Sequence, residues 1–176
     1  MTKIARMMIA VLGILVLAAP AIAGWDANLD KKAQKAIREF KKVDPGMKAF
    51  FNKAYGYAVF PTVGKGAIGI GGAHGKGLVY RKGRVIGKTS LSQATIGFQL
   101  GGQAYREIIF FEDKRALDKF KKGNFAFSGQ ASAVAAASGA SANVDYAGGV
   151  AVFTMAKGGL MFEASIGGQR FTFKPK

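Results

Sequence analysis

The chain has 176 residues, with 26 Lys and Arg against 10 Asp and Glu, no Cys, one His and 25 Gly. This length suits one domain with a sizeable core and argues against several domains. The absence of cysteine excludes disulfides, thiolate metal sites and a cysteine nucleophile, and a single histidine excludes a multi-histidine metal cluster. Abundant glycine beside only four prolines favours a β-dominated body with tight turns and bent strands.

The first 23 residues have the pattern of an export signal. Lys3 and Arg6 precede an apolar run that ends at Pro20, and Ala21-Ile22-Ala23 supplies a small-x-small cleavage site. A transmembrane anchor is the alternative, but the proline and the small residues favour cleavage after Ala23. The expected organisation is a cleaved signal peptide, 1–23, followed by one domain, 24–176, of a periplasmic or secreted protein. Removal of its two basic residues lowers the formal charge from +16 to +14.

An amphipathic helix is predicted from Trp25 to Val43, because its apolar residues recur with helical spacing. A basic stripe lies opposite the apolar one. If the apolar side packs on the domain's own sheet, the stripe points outward and can meet an anionic surface. Trp25 and Leu29, at the helix start, are candidates for contact with a bilayer interface. The basic stripe consists of Lys31, Lys35, Arg38 and Lys42.

The rest of the chain indicates two more helices and many strands. Asp44 and Pro45 predict the cap and first residue of a second helix, and Asp113 and Gly123 bracket a third. Short apolar runs separated by glycines predict strands and turns, and the ambiguous stretch 131–142 is also predicted as strand. The expected fold is a β-dominated α+β domain. It has a helical preface, 24–55, and a glycine-rich, strongly bent, mostly antiparallel sheet or barrel-like body over 56–176.

Signals of enzymatic chemistry are weak. Residues 64–69 match the dinucleotide pattern G-x-G-x-x-G, but another glycine pair follows at once, so no helix can begin there. His74 has no acid close to it in sequence, and an enzyme would require a closed pocket that brings His74 against Glu107, Asp145 or Glu163. The sequence therefore predicts a protein that is not an enzyme and that uses neither a cofactor nor a metal.

A strongly basic, acid-free segment runs from Pro45 to Arg106. Uncompensated positive charge of this kind indicates an anionic partner, such as phospholipid headgroups, nucleic acid or acidic polysaccharide. Part of it, residues 81–84, has the composition of a hairpin tip. The candidate anion-binding residues of this segment are Lys48, Lys65, Lys76, Arg81, Lys82, Arg84 and Lys88.

Several blocks in a fixed order make the chain resemble the SYLF domain family from about Met47 to Phe173. They are residues 53–61 (KAYGYAVFP), Gly71-Gly72 with Gly75-Lys76-Gly77, residues 97–102 (GFQLGG) and residues 158–165 (GGLMFEAS). The resemblance implies a non-catalytic domain that binds phosphoinositides or other anionic phospholipids through basic residues and an N-terminal amphipathic helix. It also implies actin association in some eukaryotic members. Carried over, the lipid-binding role falls on Lys31, Lys35, Arg38 and Lys42.

The leading prediction is thus peripheral, non-enzymatic binding to an anionic phospholipid surface. The first alternative is general binding of polyanions or nucleic acid, for which Tyr55, Tyr57, Tyr80 and Tyr105 are the candidate stacking residues. A structural or stress-related envelope role, in which charge serves only for tethering, remains open as a third.

Overall fold

The computed structural model describes residues 27–68, 70–96, 103–123, 125–127, 132–157 and 163–176. The predicted signal peptide and Trp25 lie outside these residues, as do most of the family-like blocks at 97–102 and 158–165. The helices of the described residues are α1 (Ala27–Val43), α2 (Met47–Lys53) and α3 (Lys114–Lys121), with a short 3-10 helix at Ala140–Asn143. Their strands are β1 (Gly56–Ile68), β2 (Ile70–Arg81), β3 (Arg84–Ile96), β4 (Gln103–Phe111), β5 (Ser132–Ala135), β6 (Val150–Ala156), β7 (Glu163–Ser165) and β8 (Arg170–Pro175).

All eight strands belong to one sheet with the order β7-β5-β6-β4-β1-β2-β3-β8. Every pairing is antiparallel except that of β5 with β6. The expected β-dominated, mostly antiparallel fold is therefore confirmed. The two edge strands, β7 and β8, are separated in the chain only by residues 166–169, so the sheet edges approach within about 18 Å of each other.

Ring contacts confirm that the sheet is strongly bent. Phe60 on β1 and Phe171 on β8 are three strand spacings apart, about 14 Å in a flat sheet, yet their ring centroids lie 5.7 Å apart. We call the face that these rings share the inner face. Its core also contains the buried residues of α3 and Phe125.

The opposite, outer face is covered by α1 and α2. Alternate strand residues such as Val59, Leu78 and Phe110 are buried there against Phe40 and Ile37 of α1. Complete burial of a side chain of this size contributes about 1.5–3 kcal/mol. The apolar side of α1 is therefore used for packing within the protein, as its periodicity predicts. No helix among the described residues is long and apolar enough to cross a bilayer.

The second helix begins later than predicted, at Met47, with Gly46 rather than Asp44 in the cap position. The buried Asp44 carboxylate instead accepts hydrogen bonds from the backbone N–H groups of Gly46 (3.0 Å) and Ser141 (2.7 Å). It therefore ties the corner between α1 and α2 to the 3-10 helix.

The third helix agrees with its prediction. The Asp113 side chain caps it by accepting a hydrogen bond from the Ala116 N–H (2.7 Å), and Gly123 follows it with a φ of 76°. The ambiguous stretch 131–142 is strand only in its first part, β5, while its second part forms the 3-10 helix.

The strands are longer than predicted, because several glycines expected to separate strands lie inside them. A side chain at Gly77, within β2, would place its Cβ 2.6 Å from the Val59 carbonyl oxygen and 2.8 Å from the Phe60 ring. Gly64 to Ile68, the first part of the dinucleotide-like pattern, is likewise strand and not the start of a helix. The predicted hairpin tip is confirmed: Arg81 pairs with Arg84, and Lys82 and Gly83 both have positive φ.

Candidate anion-binding surface

The basic stripe of α1 lies on the surface. Its apolar neighbours Ala33, Ala36 and Phe40 are almost completely buried, which turns the opposite side of the helix to solvent. The four predicted stripe residues are all exposed: Lys31, Lys35, Arg38 and Lys42. The helix thus presents a row of cations and keeps its apolar side covered. This geometry suits adsorption to an anionic surface and not insertion of the apolar side into a bilayer.

Strand residues extend this basic surface beyond the helix. Arg106, on β4, forms an ion pair with Glu39 of α1 (2.6 Å), and Lys35 approaches the same carboxylate at 3.9 Å. Lys157, just after β6, donates a hydrogen bond to the Thr62 hydroxyl (2.7 Å). Sequence reasoning missed this convergence because its members come from distant parts of the chain. We call Lys32, Lys35, Arg106 and Lys157 together the basic cluster.

Electrostatics supports the existence of the basic cluster. Partial burial lowers the pKa of Lys157, and repulsion by Arg106, Lys32 and Lys35 lowers it further, against the opposing effect of Glu39. Among the described residues, Glu39 is the one carboxylate that offsets the repulsion of Lys157 by these three cations. An anion placed among them would relieve this repulsion.

The remaining predicted cations fall into different surroundings. Lys48 on α2, Lys76 on β2 and the tip residues Lys82 and Arg84 are exposed. Arg81 is also exposed, but its guanidinium lies over the Tyr55 ring at 4.7 Å from the centroid. No contact among the described residues joins these cations to the α1 stripe.

Two predicted cations are only partly exposed. Lys88 is half-buried on β3. Lys65 is half-buried too, with its ammonium 5.4 Å from the centroid of the Tyr105 ring. Because Tyr105 belongs to the inner-face core, Lys65 is oriented away from α1.

The expectation that Leu29 contacts a bilayer is wrong for the folded protein. Its side chain is only 8% exposed and belongs to the core between α1 and the outer face of the sheet. The same periodicity that identified the helix places Leu29 on its buried side. Trp25 lies outside the described residues.

A second group of cations, missed by sequence reasoning, lies on α3. Asp118 forms hydrogen-bonded ion pairs with Lys114 and with Lys121 (3.3 Å), whereas no described carboxylate lies within 4.0 Å of Lys119 or Lys122. Five basic residues among the nine from 114 to 122 were the available signal. This signal lies outside the acid-free segment 45–106.

No described side chain brings a carboxylate against His74 to form a catalytic pocket; Glu163 is on β7, but its side chain lies outside the described part of the chain. His74 is exposed, whereas Glu107 is fully buried on the inner face. The Gln169 side-chain amide donates to Glu107 (3.0 Å) and to the Tyr105 hydroxyl (3.1 Å), and burial raises the pKa of Glu107 to about 7, although Gln169 and Lys65 oppose this effect. Asp145 is exposed. The described residues also contain no group of three or more His, Cys, Asp or Glu side chains that could hold a metal ion.

Burial also bears on the alternative of base stacking. Tyr80 and Tyr105 are fully buried and Tyr57 is 9% exposed. Tyr55, the remaining candidate, is half-buried and contacts Arg81. Three of the four tyrosines proposed for stacking, Tyr57, Tyr80 and Tyr105, are therefore core residues.

Comparisons with known proteins find a family model and a relative that are similar to this chain. A family model described as "Ysc84: Las17-binding protein actin regulator" matches residues 92–176, which extend from the end of β3 to the C-terminal residue of the chain. The chain is also 29% identical over 146 residues to Beta cell expansion factor A of Aeromonas veronii. That alignment covers 81% of this chain and 55% of the relative, so the chain spans about half of the relative's length. The match over residues 92–176 and the similarity to this relative confirm the resemblance to the SYLF family found in the sequence.

Proposed function

We propose that this protein binds anionic phospholipid surfaces peripherally, without catalysis, through the α1 stripe and the adjacent basic cluster. The observation that carries the proposal is the orientation of α1: its apolar side is buried on the sheet and all four stripe cations are exposed. Similarity to the SYLF family is consistent with this role. Export through a cleaved signal peptide, to the periplasm or beyond the cell, is part of the same proposal.

The magnitude of the attraction is sufficient for reversible binding. Each Lys or Arg held close to an anionic bilayer contributes about 1 kcal/mol at moderate salt. The four stripe residues together then contribute about 4 kcal/mol, or roughly a thousandfold in partitioning. The basic cluster adds further positive charge beside the stripe.

The first test is vesicle binding by a variant in which Lys31, Lys35, Arg38 and Lys42 are all changed to Glu. We expect co-sedimentation with anionic vesicles to fall at least a hundredfold, because attraction is replaced by repulsion, while the circular dichroism spectrum and the melting temperature stay close to those of the wild type. The matched control reverses four exposed cations elsewhere, Lys48, Lys53, Arg84 and Lys174. It carries the same net charge.

The control decides between the two leading functions. If it binds vesicles nearly as well as the wild type does, the α1 surface is a localised lipid site. If both variants lose binding equally, and DNA or heparin competes with vesicles for the wild type, the protein is a general polyanion binder. Unchanged vesicle binding by the α1 variant would contradict the assignment of the site.

Actin is a separate question, raised by the description of the matching family model. An exported protein would not meet actin in its own compartment. We therefore place actin association behind lipid binding, and co-sedimentation with actin filaments tests it directly.

A further inference from the structure

A cavity of about 540 Å³ opens between β6, the start of β5 and the segment 125–127, on a part of the surface that the lipid proposal does not use. This volume lies within the range of about 300–1,000 Å³ typical of small-molecule sites. Most of the residues that line it are apolar, although polar atoms make up almost half of its exposed wall. The apolar side chains that line it include those of Phe125, Phe127, Val134, Val144, Val152 and Ile166.

Among the described residues, β5 lies alongside only part of β6. The two strands pair at Phe153 and Thr154, whereas β6 already begins at Val150. Among the described residues, no strand pairs with the first part of β6 on that side, and the chain turns away there through Gly148 and Gly149, both with positive φ. Several lining side chains, among them Phe127, Val134 and Val144, pack against the core on one side and remain half-exposed on the other.

One end of the cavity carries a lysine. Lys119 lines it and also lines a neighbouring depression of about 630 Å³ formed with Lys114, Arg115, Asp118 and Lys122. The Lys119 ammonium lies 5.8 Å from the centroid of the Phe125 ring, at the boundary between the two. The exposed Asp145 is the one acid among the described lining residues of the apolar cavity.

We infer that this is a binding site for a single anionic amphiphile, such as a fatty acid. The hydrocarbon chain occupies the apolar cavity, and the acidic head lies at Lys119 and Lys122, neither of which has a carboxylate partner among the described residues. Lys119 lies between the cavity, which would bury the hydrocarbon chain, and the basic depression, which would attract the acidic head. These two neighbouring features together select this ligand class. The inference goes beyond surface adsorption, because the ligand is bound as an individual molecule and on α3 rather than on α1.

Calorimetric titration of the purified protein with dodecanoate, below the concentration at which micelles form, tests the inference. We expect saturation at one molecule per chain and clearly weaker binding of dodecyltrimethylammonium, whose head has the opposite charge. Shortening the chain from dodecanoate to decanoate removes two methylene groups and should weaken binding by about tenfold or more.

Two variants probe the two parts of the site. Lys119→Glu should lower the affinity for dodecanoate at least tenfold. Lys48→Glu, the same charge change on α2, should leave this affinity unchanged. Val144→Trp should fill the cavity and prevent binding; because Val144 is half-exposed and outside the strands, we expect the melting temperature to stay close to that of the wild type.

Each outcome decides the inference. Absence of dodecanoate binding, or equal binding of both head charges, would overturn it. Displacement of bound dodecanoate by an extended apolar peptide, at a peptide concentration below that of dodecanoate, would also overturn it. That result would identify the open side of β6 as a strand-docking site. The charge-reversed α1 variant should still bind dodecanoate, so failure of this site and failure of the lipid-surface proposal are distinguishable.

Discussion

Glu107 lies fully buried on the inner face of the sheet, and burial raises its pKa to about 7, from an ordinary value of 4.5. The Gln169 amide favours the ionised form by donating to the carboxylate, and Lys65 favours it by its charge, but burial outweighs both. The folded protein therefore retains a proton between about pH 4.5 and 7 that the unfolded chain releases. In this window the free energy of unfolding falls as the pH rises, and above pH 7 the contribution is constant.

Replacement of Glu107 by Gln should remove this pH dependence. The change keeps the shape of the side chain and an oxygen that can accept the Gln169 hydrogen bond, but it cannot ionise. Each pH unit between the two pKa values is worth about 1.4 kcal/mol, so the wild-type free energy of unfolding should fall by about 2–3 kcal/mol between pH 5 and pH 8, whereas that of Glu107→Gln should not show this fall. Urea denaturation at pH 5 and pH 8 measures the difference.

Glu112→Gln is the matched control, because Glu112 is exposed directly after the same strand. It should leave the pH dependence of stability as in the wild type. A Glu107→Gln protein whose stability still falls between pH 5 and pH 7 would show that other groups cause the dependence.

At the scale of elements, the long strands require glycine at points where neighbouring strands and rings come closest. Gly77 of β2 illustrates this, since a Cβ there would meet the Val59 carbonyl oxygen and the Phe60 ring well inside normal contact distance. Gly64 of β1 is different: no atom lies within 4 Å of a Cβ built on it. Glycine is thus sterically required at one position of the hairpin and only tolerated at the other.

These two glycines give a direct prediction. Gly77→Ala should destabilise the protein by about 1–3 kcal/mol or more, because backbone and core must move to admit one methyl group. Gly64→Ala should be neutral, or stabilising by up to about 1 kcal/mol, since it restricts the unfolded chain. The midpoints of urea denaturation report both. Equal effects of the two substitutions would refute the argument from close approach.

Elements whose signal is local could be predicted from the sequence. The periodicity of α1 and the cap and stop of α3 depend on residues a few positions apart, and the structure agrees with both. Strand length was underestimated, because a glycine such as Gly77 looks like a chain break when the strand that packs against it is unknown. The start of α2 was predicted two residues too early, and the hydrogen bond from the Ser141 N–H to the Asp44 carboxylate, nearly a hundred residues away, could not be predicted from local sequence.

The candidate site divides in the same way. Exposure of the α1 stripe follows from the helix alone, but the approach of Arg106 and Lys157 to α1 depends on the order of β4 and β6 in the sheet. The assignment of Leu29 to a membrane failed because the sequence shows an apolar side without showing what covers it. The cavity beside Lys119 likewise depends on where β5 stops pairing with β6.

At the scale of the whole molecule, net charge and local geometry make separable contributions to binding. The formal charge of +16 acts over distances set by the Debye length, which is about 30 Å at 0.01 M salt and about 8 Å at 0.15 M. At low salt all basic surfaces attract an anionic bilayer together. At physiological salt only cations that touch the headgroups still contribute fully.

Salt should therefore separate the α1 surface from the rest of the charge. At about 0.01 M salt, we expect the control variant altered at Lys48, Lys53, Arg84 and Lys174 to bind anionic vesicles more weakly than the wild type, because the field of the whole molecule is reduced. At about 0.15 M this difference should shrink to less than about threefold, while the deficit of the α1 variant persists, since its lost cations are those in contact with phosphate. Vesicle co-sedimentation at the two salt concentrations, with neutral vesicles as the blank, measures both. If the two variants converge at 0.15 M, binding is a property of total charge and α1 is not its site.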